Sequence, residues 1–550
     1  MKERSSFASY LSLNEVKGWL IIMDIFCNPN SKYRGLPFWS WNCKVTRELI
    51  DEQLPIFKDM GFGGVVIHPR EGLDIEYLGE EFMSLVSYTV DRCKDLGLIC
   101  WLYDDDRFPS GAADGLVTKN PRFRARQLRL TKNRLTDGYC KSREEFESEL
   151  DRGNIPRGYY LTAYDITLEN RHLTHYRRLN SEEEICGADN VYFAYLELYK
   201  EEMWFQGQTY VDTMNPEAVE EFIRVTHEQY KAALGEDFGK YAEAIFTDEP
   251  RMGKQPLMKF AEGGEDGFAP YNEYFAERFR EKHGFDALDV VPEFIWNNAD
   301  GTAWGRLIYR DMAAECFTSV FMDRICDWCR ENGIIMTGHI LGEETLTSQT
   351  TTVGDAMRTY RSMDIPGFDL LTDAREFTSA VQAASVAAQN GITDVMSEEY
   401  GVTNWDATFK TFKLQSDWQA ALGVTKRVPH LSHMSLEGEA KRDWPGSIFY
   451  HAPWYKEFKG LEDYFARVNC VLTRGKRQTN IAVVHPVESM WVKFSPDDVS
   501  KEQRRRLDKE FTDLADWLLY SLLDYNYLCE SLFAAVCCKG KRNAYRQALL

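Results

Sequence analysis

Short apolar runs alternate with segments of helical periodicity through most of the chain. Residues 36–41 predict a first strand, and 46–60 follow with Leu49, Ile50, Leu54, Ile56 and Phe57 on one helical face. Residues 63–67 predict a second strand that runs out into His68-Pro69-Arg70. A helix over 80–96, closed by Gly97, leads to a third strand at 98–103 and then Asp104-Asp105-Asp106-Arg107. The alternation breaks over 120–208, where patterns such as 191–198 predict an inserted β-rich lobe. It resumes with a helix at 216–234 and a fourth strand at 244–247, ending in Asp248-Glu249-Pro250. A long helical region at 271–332 precedes strands at 334–337, 368–371, 394–396 and 428–431. These lead respectively to His339, to Asp373, to Ser397-Glu398-Glu399-Tyr400-Gly401, and to the neighbourhood of His430 and His433.

Eight strands alternating with helices predict an α/β protein of the (β/α)₈ TIM barrel class. The barrel spans 31–475 and carries the β-rich insertion after strand three; 1–30 form an N-terminal extension. After 476 a buried-strand pattern at 480–485 and a helix at 507–523 open a partial α/β, flavodoxin-like domain over 476–550. About 75 residues are too few for a full doubly wound sheet, so this domain is expected to be short and truncated, and its tail from 533 is basic without strand alternation.

Composition changes this picture little. A charged share of 27% and a hydrophobic share of 44% are ordinary for a soluble globular protein. The net charge of −21 argues against a nucleic-acid partner, because phosphates repel an acidic surface. The early apolar stretch at 19–22 is far short of the roughly 20 residues a membrane span needs. Polar residues also break any signal-peptide core, so the expectation is a cytoplasmic protein that does not engage a membrane. Of 13 cysteines only Cys326 and Cys329 form C-x-x-C, with no second pair at zinc spacing, and they read as buried thiols.

Chemistry concentrates on the strand ends, which in a barrel converge on one rim. Glu249 leaves strand four, and Glu398 and Glu399 leave strand seven. An isolated Asp-Glu-Pro is more often a helix cap or a rim ion pair, but two acidic strand ends facing one mouth match what glycoside hydrolysis requires. One carboxyl group protonates the leaving oxygen; the other activates water or attacks the anomeric carbon. Trp39, Trp41 and Asn42 after strand one, His68 and Arg70 after strand two, and Asp104, Asp105 and Arg107 after strand three are candidate substrate contacts. Asp248, His339, Tyr400 and His430 complete that set. A polyhydroxylated ligand needs many such partners. No metal site or cofactor is predicted: calcium is compatible with so many carboxylates, but nothing has EF-hand spacing.

P-F-W-S-W-N at 37–42, V-I-H-P-R at 66–70 and W-L-Y-D-D-D-R-F-P-S-G at 101–111 resemble bacterial proteins of glycoside hydrolase family 106, known for α-L-rhamnosidases. S-E-E-Y-G at 397–401, D-W-Q at 417–419, A-L-G-V at 421–424 and A-P-W-Y at 452–455 extend the resemblance over about residues 35–490. It implies a catalytic barrel, a carbohydrate substrate and hydrolysis of a glycosidic bond in a small glycoside or oligosaccharide. The family's S-E-x-[FY]-G pattern places the strand-seven carboxylate on Glu398, whereas an E-[YFW]-G spacing would choose Glu399. The expectation is Glu398 with Glu249 as the acid, and Glu399 as the alternative. The family resemblance leans to inversion and the strand-four, strand-seven arrangement to retention. This chain departs from family members in its short C-terminal part. Other readings are a retaining, galactosidase-like β-glycosidase, a non-catalytic carbohydrate-binding barrel, and a metal-dependent hydrolase using His68 and His339.

Overall fold

The computed structural model describes residues 23–253, 255–372 and 374–532. Residues 1–22 of the N-terminal extension, Asp373 and the basic tail at 533–550 lie outside the described residues.

The barrel strands are β1 (Phe38–Trp41), β2 (Gly64–Pro69), β3 (Ile99–Tyr103), β4 (Ala242–Thr247), β5 (Ile335–Gly338), β6 (Ile365–Leu370), β7 (Met396–Glu399) and β8 (Lys426–Pro429). They pair in parallel in that order. Closure comes from the chain beyond β8: Ser432–His433 pairs with β1, with Trp39 opposite Ser432 and Ser40 opposite His433. One extended stretch therefore bonds β7 with its first half and β1 with its second, and the ring has no free edge.

Helices return the chain between strands. Helix α1 (Arg47–Asp59) starts where the Thr46 hydroxyl accepts from the Leu49 amide, and it buries Ile50, Leu54 and Phe57. Helix α2 (Glu80–Leu96) ends at Gly97, whose φ of +70° suits the left-handed cap. Strand side chains alternate strictly. Phe38, Val66, Trp101, Tyr103, Phe246, Met396 and Val428 pack together inside the ring. Trp39, Trp41, Val65, Ile67, Leu102 and Ile245 point outward into the helix-facing core. With both faces covered, the strands read as continuous apolar runs.

Three boundaries differ from the sequence expectation and matter for the site. Strand six begins at Ile365, not 368, so Asp369 lies within it. Strand seven runs over Met396–Glu399, so Glu398 and Glu399 are in the strand and not beyond it. The lobe sheet, strands Arg126–Thr131, Tyr139–Cys140, Gly158–Glu169, His172–Leu179 and Val191–Leu198, also takes in Gly267–Pro270 from after β4. The lobe is thus drawn from both sides of the fourth strand.

Beyond the barrel, β9 (Ile481–His485) and β10 (Tyr525–Cys529) pair in parallel with the helix Asp497–Tyr520 between them. They dock on the barrel helix Thr378–Asn390: the Tyr527 amide donates to Ser385 Oγ at 2.9 Å. Among the described residues no helix is long and apolar enough to cross a membrane.

One buried ion pair ties the ring to its outer layer. Arg427 of β8 donates to both Glu462 oxygens at 2.9 and 2.7 Å and lies 3.8 Å from Glu399. All three side chains are shielded from water. Arg427→Met would leave two buried carboxylates without their counter-charge, at a cost of about 3–5 kcal/mol. Urea unfolding should show the midpoint fall accordingly; a loss below about 1 kcal/mol would contradict this account.

Candidate active site

Each strand from β2 to β8 delivers a polar side chain to the C-terminal mouth, at or just past its last inward position: His68, Tyr103, Asp248, His339, Asp369, Glu398 and His430. Their spacing by two from interior residues such as Val66, Trp101, Phe246, Met396 and Val428 follows from strand alternation. Gly338, with φ of +127°, allows the β5 end to approach β4, since a Cβ there would sit 1.9 Å from the Thr247 carbonyl oxygen. That approach brings His339 to the acids.

Glu398 is the centre of the cluster. Its Oε2 lies 2.7 Å from His339 Nε2 and its Oε1 2.7 Å from His430 Nδ1. His339 Nε2 is also 3.4 Å from Asp248 Oδ1, and Tyr103 donates its hydroxyl to Asp248 Oδ2 at 2.6 Å. Burial pushes the Glu398 carboxyl up, but the two histidine hydrogen bonds overcome this and hold it well below the usual carboxylate range. Burial alone would strip His339 of its proton; Asp248 and Glu398 reverse that, and its pKa lies well above the ordinary histidine value. His430 is shifted downward by burial, against the pull of Glu398. The pair is therefore an ionised glutamate against a protonated His339, with a second histidine at its flank.

Glu249 stands on the same rim. Its amide donates to the His339 carbonyl at 3.2 Å, and its φ is +49°. A non-glycine residue in that region is strained, and such strain concentrates at functional sites. Its carboxyl is pushed up to about 8, by desolvation first and then by the charges of Asp248 and Asp369. One mouth thus holds a carboxyl group that keeps its proton at neutral pH and another that has lost it.

Three residues of this mouth are absent from the sequence expectation: Tyr103, Asp369 and Asp443. Asp369 lies opposite Glu398 in the β6–β7 register, and burial together with Glu398 raises its pKa well above normal. Counting by twos from Ile365 through Gly367 would have found it. Asp443, in the loop after the closing strand, accepts from Arg70 at 2.8 and 2.7 Å and lies 3.5 Å from His433. Burial is outweighed there by Arg70 and His433, which hold the acid far below its usual range. No strand-end motif marks a loop residue of this kind. Arg70 in turn places NH1 3.2 Å from His68 Nε2.

Several expected substrate contacts are placed elsewhere. Trp39 and Trp41 are 0% exposed and face the helices, with Trp39 donating its indole N–H to Gln53. No sugar can stack on them. Tyr400 is buried against Ser416 behind the strand. Asn42 bonds the Ser435 backbone through both its amide atoms, which holds the loop after the closing strand. Asp105 accepts from the amides of Asp106, Gly111, Ala112 and Ala113, so its acceptors shape the loop after β3. Asp104 accepts from Ser110 Oγ at 2.5 Å and is pushed by burial up to about 7. Arg107 pairs with Asp106 and with Glu71 at the edge of the mouth. Glu399 faces away from the mouth, accepting from Ser416 Oγ at 2.8 Å, and burial raises its carboxyl to about 7.

Asp248, His339 and Glu398 offer donor atoms within 4.8 Å of one another, near enough to meet a cation. His339 Nε2 lies against both carboxyl groups there, at 2.7 Å from Glu398 and 3.4 Å from Asp248. A mixed nitrogen and oxygen set also differs from the all-oxygen shell that calcium prefers.

No protein-family model matches the sequence, and the curated proteins give no match. Among solved structures the chain is similar to a rhamnosidase from Novosphingobium sp. PP1Y, with a TM-score of 0.57 at 14% identity. That match covers 84% of this chain and 61% of the rhamnosidase, so the chain spans about three fifths of that protein's length. It is also similar to a GH42 β-galactosidase from G. stearothermophilus, with a TM-score of 0.52 at 10% identity, covering 91% of this chain and 67% of that one. The likeness is one of fold. The shared architecture is the (β/α)₈ barrel.

Proposed function

We propose that the protein is a glycoside hydrolase acting on a small glycoside or oligosaccharide, with Glu249 as general acid and Glu398 as the ionised carboxylate. The observation that carries this reading is the opposite displacement of two carboxyl groups in one barrel mouth. Environments that push a pair of acids apart assign the acid and the base. Glu249 would give its proton to the glycosidic oxygen as the bond to the anomeric carbon breaks. Glu398 would either take a proton from the attacking water or form the glycosyl ester that water then cleaves. The negative charge of Glu398 faces the developing oxocarbenium charge. His339 and His430 keep Glu398 deprotonated and oriented.

An α-L-rhamnoside is the first substrate to test, since the motif resemblance implies it and one fold neighbour is a rhamnosidase. A β-galactoside is the second, favoured by the other neighbour. A panel of aryl rhamnosides, galactosides and fucosides, with NMR of the first-formed sugar, would identify the glycone and the stereochemical course. Turnover of none of them would overturn the proposal.

The pH dependence follows from the acid. Glu249 must be protonated to act, so kcat/KM should decline above about pH 8, tenfold per unit. A profile whose alkaline fall begins near pH 5, where an ordinary glutamic acid ionises, would contradict the assignment.

A further inference from the structure

Three aromatic rings stand together on the rim outside the acid cluster. Trp204, at the end of the β-rich lobe, is 40% exposed, and Trp444, in the loop after the closing strand, is 43% exposed. Phe108, in the loop after β3, lies between them, 5.2 Å from Trp204 and 6.5 Å from Trp444 by ring centroid. Three separate segments converge to make this group, and none of the three rings belongs to the barrel core. Their positions are held. The Trp204 indole N–H donates to the Phe108 carbonyl at 2.7 Å, and Trp444 is kept at φ +48°, a strained conformation.

The group is continuous with the mouth. The Arg70 guanidinium lies 6.0 Å over the Phe108 ring while pairing with Asp443, the neighbour of Trp444, and reaching His68 inside. A shallow groove opens beside Trp204, lined also by Asp106, Arg107, Asp114 and Gln206. Exposed ring faces bordered by carboxylates, a guanidinium and an amide match a pyranose, which presents a C–H face ringed by hydroxyls. The density of charge around the rings disfavours a membrane or a purely apolar partner.

We propose that Trp204, Phe108 and Trp444 form a second binding subsite, for the ring on the leaving-group side of the scissile bond. Resting on the hydrolase reading above, it makes the natural substrate at least two rings long, the second being a sugar or an aryl group. Both present a flat apolar face to an indole.

The test is the Trp204→Ala/Trp444→Ala double variant, both sites being partly exposed and outside the core. Substrates with one glycone and three leaving groups are compared: fluoride, para-nitrophenol and a second sugar. Fluoride has no ring to bind. The ratio of kcat/KM for the para-nitrophenyl glycoside to that for the fluoride should fall about tenfold. A matching fall with the disaccharide assigns the subsite to sugar rings; a fall confined to the para-nitrophenyl substrate assigns it to aryl groups. Unchanged ratios for both overturn the subsite and leave the hydrolase reading intact. If the wild type turns over none of them, calorimetric titrations of wild type and double variant with para-nitrophenyl α-L-rhamnoside and β-D-galactoside decide. Binding that is lost in the double variant keeps the subsite and discards the hydrolase; no binding discards both.

Discussion

Glu398→Gln is expected to lower turnover by about 10³-fold or more while leaving the barrel folded. Glutamine keeps the shape of the side chain and one acceptor oxygen, so His339 or His430 retains a partner, but the negative charge is gone. Whether Glu398 acts as base or nucleophile, the charge is what it supplies. The substitution also removes the nearer of the two anions facing His339, leaving Asp248 at 3.4 Å, so the histidine's affinity for its proton should drop. Steady-state rates with the best glycoside of the panel, set beside thermal unfolding, check both halves. A variant within tenfold of the wild type, and equally stable, would mean that Glu398 is a structural anion. A variant that still binds sugar while the wild type never turned over would identify a binding barrel instead.

Glu249→Gln should divide substrates by leaving group. A general acid contributes about 10²–10⁴-fold where the departing oxygen is basic. Alkyl glycosides and disaccharides should lose about that much. Fluoride and para-nitrophenolate leave without a proton, so their cleavage should suffer far less. The alkaline limb near pH 8 should flatten with it, because the group that produces the fall is gone. An equal loss across all leaving groups would move Glu249 from proton donor to a purely electrostatic or positioning part.

Much of the barrel was legible in the sequence because strands buried on both faces announce themselves as apolar runs, and glycines such as Gly97 mark where helices stop. Which way each side chain points was harder. Trp39 and Trp41 look like sugar platforms at a strand end, but counting by twos from Phe38 sends both to the helices. The same count separates Glu398, in step with Met396, from Glu399. Asp369 is hard to place because its strand carries Pro366 and Gly367 just after its first residue, and both give little strand signal. Asp443 and the Trp204–Phe108–Trp444 group rest on loops and on the lobe, where pairing in space is set by tertiary packing and no local period records it. Asp105 had the right composition for a ligand, but four nearby amides claim it.

Strand seven carries adjacent glutamates that point to opposite faces, Glu398 into the mouth and Glu399 toward the outer layer. Glu398 meets the two imidazoles that hold it ionised, whereas Glu399 meets a guanidinium and a serine. Duplication of a residue type at this point therefore provides no redundancy. What makes a glutamate reactive here is the company supplied by strands five and eight, so mutational drift in those strands would silence the protein as surely as loss of the carboxylate itself.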